Sequence, residues 1–323
     1  MRLIFSTKIF ALVTALLVAP LVAGEESLPW GDDEFYIYVN KEENSLSLRS
    51  IEVPGKTLKV YRAISGLNAG DKVYEGDRRT PEGIYITTRR VRESELYRPL
   101  HGPAGIELNY PNPVDRINRQ TGSGIWIHGV EGNERLAKRF DTRGCVAVSN
   151  EDILELVNFF VPDQTVVVIV DRDQKKNPWG LQTVGNSLEK KVRDWARAWS
   201  SQITDDYLAF YHSEFTSRNM DYAQWRVYKN SLNRRYTYIN VDVNSIRTFK
   251  HSKYWMTQFE QVYESNLFRS KTLKRLYWVG AANNPKIISE KTLNTVEGPK
   301  NVGPAVVTSS NSINRVSDMK TSN

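Results

Sequence analysis

The 323-residue chain contains one cysteine, Cys145, lying 17 positions after His128, and both have glycine neighbours: Ile127-His128-Gly129 and Arg143-Gly144-Cys145-Val146. An imidazole that reaches a thiol can take its proton, and the resulting thiolate is a nucleophile for acyl transfer. Singly, a Cys is as readily a small buried hydrophobe, and a His a packed or surface residue. The pairing, the glycines and an export-type leader together favour the nucleophile-and-base reading. Gly144 leaves the backbone beside Cys145 open to a substrate, and the amides of Gly144 and Cys145 are natural donors to a developing oxyanion. Arg143 has two readings. Its guanidinium would lower the thiol pKa and bind a substrate carboxylate, or it is an exposed surface arginine. Asn109 and Tyr110 are candidates to line a substrate cleft, although Asn109-Tyr110-Pro111-Asn112-Pro113 is also ordinary turn chemistry. The four histidines (His101, His128, His212, His251) are widely spaced, so neither a metal site nor a cofactor is expected.

The elements that must position this pair read as mostly β. Short apolar runs recur between turn signals at Phe35 to Val39, Leu46 to Ile51, Leu58 to Ile64, Ile84 to Thr88, Ile125 to His128 and Val166 to Val170. A helix is expected over Asn150 to Phe160, with Ser149 as N-cap and Asp152 completing a weak capping box, which sets Cys145 just upstream of a helix N-terminus. The chain then turns polar, and residues 173–184 read as a linker. Beyond it, Val192, Trp195, Ala196 and Trp199 fall at helical spacing, and Tyr207, Leu208 and Tyr211 repeat that spacing. Ile239, Val241 and Val243 alternate with polar residues, while Trp255, Phe259 and Tyr263 share one parity of a long strand, which indicates an α+β cone. Its aromatics follow helix and strand periods and therefore read as core, around a concave pocket. Residues 291–323, rich in Ser, Thr, Asn, Gly, Pro and Lys, read as a disordered tail.

Residues 1–24 have the pattern of a secretory signal peptide: Arg2 and Lys8, an apolar run from Ile9 to Val22, then Val22-Ala23-Gly24. An uncleaved anchor is the alternative, and either form places the rest of the chain outside the inner membrane, in the periplasm. The formal charge is +7, and loss of Arg2 and Lys8 leaves 42 basic against 37 acidic residues. That modest excess suits encounter with a polyanionic surface such as a cell wall. No dense basic run or recognition motif supports nucleic-acid binding.

The segments around His128 and Cys145 resemble the L,D-transpeptidases with a YkuD-type catalytic domain, whose signature is a His-Gly pair followed by Ser-His-Gly-Cys-Ile/Val-Arg. His128, Gly129, Gly144, Cys145 and Val146 match, Thr142 stands for Ser, Arg143 replaces the signature His, and Ala147 replaces the signature Arg. These departures, with Leu108 to Pro113 and the approach Gly122-Ser123-Gly124-Ile125-Trp126, resemble a Gram-negative branch that includes L,D-carboxypeptidases controlling helical cell shape. The resemblance covers residues 34–172. Residues 185–290, led by Trp195-Ala196-Arg197-Ala198-Trp199-Ser200 and Tyr207-Leu208-Ala209-Phe210-Tyr211, resemble the NTF2-like domain of the same branch.

What the resemblance implies is an exported peptidoglycan enzyme. Cys145 would attack the carbonyl between the L-centre of meso-diaminopimelate and D-Ala in a stem peptide, forming a thioester, with His128 as base and then acid and the Gly129 carbonyl orienting the imidazole. In that role the residue type at 129 matters little. An incoming amine gives a cross-link, and water gives a trimmed tripeptide. The NTF2-like half would hold a wall or protein ligand. The Arg78-Arg79-Thr80-Pro81-Glu82-Gly83 segment matches the family's basic-Thr-Pro-x-Gly stretch and reads as a structural turn. Two other functions compete with these: a silent wall-binding protein, and a papain-like protease, which the His-before-Cys order rejects.

Overall fold

Every residue of Val166–Val170 is buried, and this five-residue apolar run forms the middle of the first sheet in the computed structural model, which describes residues 34–172 and 178–294. The segment read as a signal peptide lies outside the described residues. The N-terminal half contains, in order, β1 (Phe35–Asn40), β2 (Ser45–Ser50), β3 (Thr57–Arg62), β4 (Ser65–Gly66), β5 (Gly83–Arg90), α1 (Arg98–His101), β6 (Gly105–Leu108), α2 (Pro113–Ile117), β7 (Trp126–His128), β8 (Phe140–Thr142), β9 (Val146–Ala147), α3 (Asn150–Phe159) and β10 (Val166–Val170). The second half contains α4 (Pro178–Ser200), α5 (Thr204–Leu208), β11 (Thr216–Ser217), β12 (Met220–Asp221), α6 (Tyr222–Arg235), β13 (Ile239–Lys250), β14 (Trp255–Ser265), β15 (Arg269–Val279) and β16 (Lys286–Asn294).

An eight-stranded sheet of order β3-β2-β1-β10-β5-β6-β7-β9 runs through the first half. It is antiparallel except at β1–β10 and β7–β9, which are parallel. The six sequence-expected strands are present within two residues of their expected ends. So is α3, where Ser149 accepts the N–H of Asp152 at 3.0 Å; no reciprocal bond from Asp152 completes a capping box. Strands followed by a helix-and-sheet cone make the chain a mostly-sheet protein, as the sequence indicates.

In the second half, the antiparallel sheet β13-β14-β15-β16 has one face against α4, where Trp195, Trp199, Phe259, Tyr263 and Trp278 pack together. Its other face carries Phe249, Met256, Tyr277 and Ile288 onto Ile84, Ile86, Val166, Val168 and Val170 of the first sheet. Leu273–Trp278 of β15 is therefore buried without a break, since each side chain meets a covered face whichever way it points. The halves share one hydrophobic core rather than hanging on a tether.

Three boundaries differ from the sequence reading. The helix α4 begins at Pro178, so 178–184 is helical rather than linker, and 173–177 lies outside the described residues. The strand β16 runs to Asn294, which takes residues 291–294 from the expected tail into the sheet. The helix expected through Tyr211 stops at Leu208; Tyr211 instead bridges Ile287, because that joins the α5 turn to β16. The helix α6 gives a thin apolar signal, burying only Trp225 and Lys229, and is set by the Asp221–Gln224 capping box.

Candidate active site

Strands β7 and β9 lie side by side in parallel register, Ile127 opposite Val146 and His128 opposite Ala147. Side chains alternate along strands about 4.8 Å apart, so continuing β9 back two residues from Ala147 puts Cys145 on the same face as His128. The backbone N–H of Trp126 points at Cys145 Sγ at 3.4 Å, and the thiol faces the Gly124 carbonyl at 3.6 Å. The register thus sets the two residues singled out from their spacing on one face of neighbouring strands.

His128 is buried, with Nδ1 2.6 Å from the carbonyl oxygen of its neighbour Gly129. A carbonyl only accepts, so Nδ1 carries the proton and Nε2 keeps its lone pair. Burial pushes the His128 pKa down to about 4, with His101 and Arg135 adding to the shift. Burial also pushes the Cys145 thiol up to about 11, against the opposing pull of the Trp126 N–H and the Lys72 charge. At neutral pH the pair rests as thiol and neutral imidazole. The N-terminus of α3 does not produce a resting thiolate.

The turn that presents Cys145 is fixed by two hydroxyls. Thr142 Oγ1 donates to the Cys145 carbonyl at 2.7 Å, and Thr80 Oγ1 donates to the same oxygen at 3.2 Å. Each hydroxyl also accepts an amide, Gly144 N–H at 3.1 Å and Gly66 N–H at 2.8 Å respectively. The Gly144 N–H expected to serve an oxyanion is therefore already committed, whereas the Cys145 N–H has no acceptor among the described residues. Gly144 sits at φ +133°, and a Cβ there would lie 3.0 Å from the Arg79 carbonyl. Gly129 is also constrained in type: a Cβ would collide with Asn150 Oδ1 and stand 3.0 Å from Pro103 Cδ. The expectation that only its carbonyl matters does not hold, because Asn150 packs there to accept the Val130 N–H at 3.0 Å.

Other expected residues lie elsewhere. Asn109 Oδ1 accepts the Ile86 N–H at 2.8 Å, which ties it to β5. Tyr110 is buried and donates to the Thr121 carbonyl at 3.0 Å. Both are tied into the fold by these bonds, Tyr110 buried and Asn109 half-buried. Arg143 is exposed and has no acidic partner among the described residues, and the cation acting on the thiol is Lys72, buried and paired with Asp77 Oδ1 at 2.7 Å. Sequence reasoning missed Thr80, Lys72, His101 and Asn150, because each reaches the site from a separate loop or cap and spacing carries no trace of that.

Residues 34–169 match the family model of the L,D-transpeptidase catalytic domain, YkuD, and residues 187–291 match the Cds6 C-terminal NTF2-like domain. The chain carries a YkuD-type L,D-transpeptidase catalytic domain followed by a Cds6-type NTF2-like domain. Bd1075 from Bdellovibrio bacteriovorus is similar in structure, with 28% identity, a TM-score of 0.68, and coverage of 82% of this chain and 94% of that one. The helical cell shape determining protein Pgp2 from Campylobacter jejuni is similar at 25% identity and a TM-score of 0.64, over 80% of this chain and 92% of that one. No curated protein matches by sequence. The YkuD and NTF2-like halves stand in these solved structures in the same order as here, since the likeness spans most of each chain.

The NTF2-like cone is filled rather than hollow. Trp195, Trp199, Tyr207, Tyr211, Phe215 and Trp225 pack through it. Lys274 and Glu290 form a buried pair at 2.9 Å, and Lys229 Nζ sits 3.4 Å from the Trp199 ring centroid. An open groove of about 520 Å³ in this half is lined by Arg193, Arg197, Arg269 and the β13 segment Val241 to Asn244.

Proposed function

We propose that the protein is an exported peptidoglycan-modifying cysteine enzyme, an L,D-transpeptidase acting on the bond between meso-diaminopimelate and D-Ala in stem peptides. The observation that carries the reading is the neutral, buried His128, anchored through Nδ1 on Gly129 and sharing a sheet face with Cys145. His128 Nε2 takes the thiol proton as Cys145 Sγ attacks the carbonyl carbon. The tetrahedral oxyanion is met by the Cys145 N–H. The C–N bond then breaks, D-Ala leaves with its amine protonated by His128, and a thioester remains on Cys145. Arg143 is proposed to bind a substrate carboxylate, a reading supported by its exposure two residues before Cys145.

Attack by a second amine on the thioester gives a cross-link, and attack by water releases a tripeptide. The second reading is the hydrolytic outcome, an L,D-carboxypeptidase, in which water rather than an amine enters at the thioester. A cell-shape role follows from either reading through likeness to Pgp2. The NTF2-like half is proposed to contact the anionic wall, with its three-arginine groove as the cationic feature. No helix among the described residues is long and apolar enough to cross a membrane; export to the periplasm rests on the leader, residues 1–24.

Intact-protein mass spectrometry after rapid mixing with disaccharide tetrapeptide tests the thioester. The expected result is an adduct of the disaccharide tripeptide acyl group on Cys145, absent in Cys145→Ala. Turnover by Cys145→Ala contradicts the mechanism.

A further inference from the structure

The ring of His101, at the end of α1, meets the His128 ring edge to face, with centroids 5.0 Å apart and planes at 73°. It also meets Trp126, the residue whose N–H points at Cys145 Sγ, at 5.2 Å. His101 Nδ1 accepts the Tyr97 N–H at 3.1 Å, which fixes the ring and puts its proton on Nε2. The turn is held from below. Arg135 Nη1 donates to the Leu100 carbonyl at 3.2 Å, while its Nε binds Asp141 Oδ2 at 2.8 Å. The next residue, Gly102, lies so close to Gly129 that a Cβ would sit 2.8 Å from Gly129 Cα. One short segment thus touches both the His128 ring and the glycine whose carbonyl holds Nδ1.

We propose that His101 is a positioning residue for His128: its ring closes the open side of the imidazole and, with Gly102 behind Gly129, holds Nε2 toward Cys145. The proposal rests on His128 acting as the base in the reading above. It has an electrostatic side as well. The charged or titratable groups acting on His128 are His101 from α1 and Arg135 from the turn Asn133–Ala137, with Cys145 on the same sheet face. Burial above all, then the neighbouring His101 and Arg135, favours the neutral imidazole, the form a base requires. Burial lowers the pKa of His101 too, with Arg135 adding to the shift, so the ring facing His128 is uncharged at neutral pH.

The test uses the full-length mature protein with ¹⁵N,¹³C-labelled histidine, comparing wild type, His101→Ala and His101→Phe. In wild type, NMR should show His128 as the Nδ1–H tautomer, titrating well below the ordinary histidine range. His101→Ala opens the ring to water, so the His128 titration should move up and its tautomers mix. Its kcat on disaccharide tetrapeptide should fall roughly tenfold or more with KM changed less than about twofold. His101→Phe restores the ring contact without a charge, and should return the tautomer and most of kcat. Unchanged His128 titration and kcat in His101→Ala overturn the proposal. So does a folded His101→Phe, judged by near-UV circular dichroism, that is as impaired as His101→Ala. Absence of turnover in wild type would count against the peptidoglycan reading alone, since the NMR arm decides the positioning without substrate.

Discussion

Tyr254 Oη accepts the backbone N–H of Ile84 at 2.6 Å and the side-chain amide of Asn112 at 2.8 Å, so a turn of the NTF2-like domain is stitched to the middle of the catalytic sheet. All three groups are buried. Removing the hydroxyl strands two donors, each worth about 1–3 kcal/mol. Tyr254→Phe should therefore lower the urea midpoint by an amount equal to about 2 kcal/mol or more. A midpoint unchanged from wild type would show that the turn is only resting on the sheet.

Deletion of residues 185–323 removes Phe249, Met256, Tyr277 and Ile288 from the shared core and exposes Ile84, Ile86, Val166 and Val168. The isolated catalytic half should lose cooperative unfolding and bind hydrophobic dye. A soluble fragment with native near-UV circular dichroism and normal Cys145 acylation would show that the second domain serves only for docking.

The resting thiol and neutral imidazole predict a distinctive reactivity profile. Carbamidomethylation of Cys145 by iodoacetamide should climb steadily with pH and show no plateau between pH 5 and 8, because the thiol is pushed up to about 11 and His128 down to about 4. A plateau across that range, as a thiolate–imidazolium pair gives, contradicts the electrostatics described above.

Gly144→Ala puts a side chain at φ +133° and 3.0 Å from the Arg79 carbonyl. The expected cost is about 1–3 kcal/mol of stability, with kcat lowered by roughly a hundredfold as the nucleophile shifts. Thr142→Val, by removing the hydroxyl that bridges Gly144 N–H and the Cys145 carbonyl, should lower kcat in the same direction. Measured kcat within about twofold of wild type in both variants would mean that this turn does not set the geometry.

Asp115 lies buried beneath Tyr85 and accepts the Asn112 N–H at 2.9 Å, and burial pushes its pKa up to about 7, with Asp71 adding to the rise. A carboxyl whose folded pKa exceeds its unfolded value contributes stability at low pH and loses it as pH rises through 7. Asp115→Asn keeps an acceptor for Asn112 and cannot ionise. Its melting temperature should exceed wild type at pH 8, with the gap narrowing as the pH falls from 7 and closing near pH 4. An equal or lower melting temperature at pH 8 would show that the carboxylate is stabilised by contacts beyond those seen.

The placement of Cys145 and His128 on neighbouring strands was legible because both sit beside glycines at the ends of strands with clear apolar runs, and β7 and β9 do pair. The cone was legible where one face was covered, as in the strict alternation of Ile239 to Asn244. It was not legible in β15, where both faces are covered and the period of two disappears. The support of the site came from afar. Thr80 reaches the Cys145 carbonyl across 65 positions, and Asn150, read as the start of a helix, turns its side chain back to Val130. Asn109 and Tyr110 misled for the opposite reason, since polar residues in a turn can serve the backbone as well as a ligand.

The central claim is tested most directly by incubating the purified mature protein with disaccharide tetrapeptides, beside Cys145→Ala and His128→Ala, and reading products by mass spectrometry. The account predicts release of D-Ala by wild type, none by Cys145→Ala, and a loss of roughly a hundredfold or more in His128→Ala. Cross-linked dimers or exchanged D-amino acids identify an amine acceptor, and tripeptide alone identifies water. Intact tetrapeptide after prolonged incubation with folded wild-type protein, or D-Ala released equally by Cys145→Ala, would contradict it.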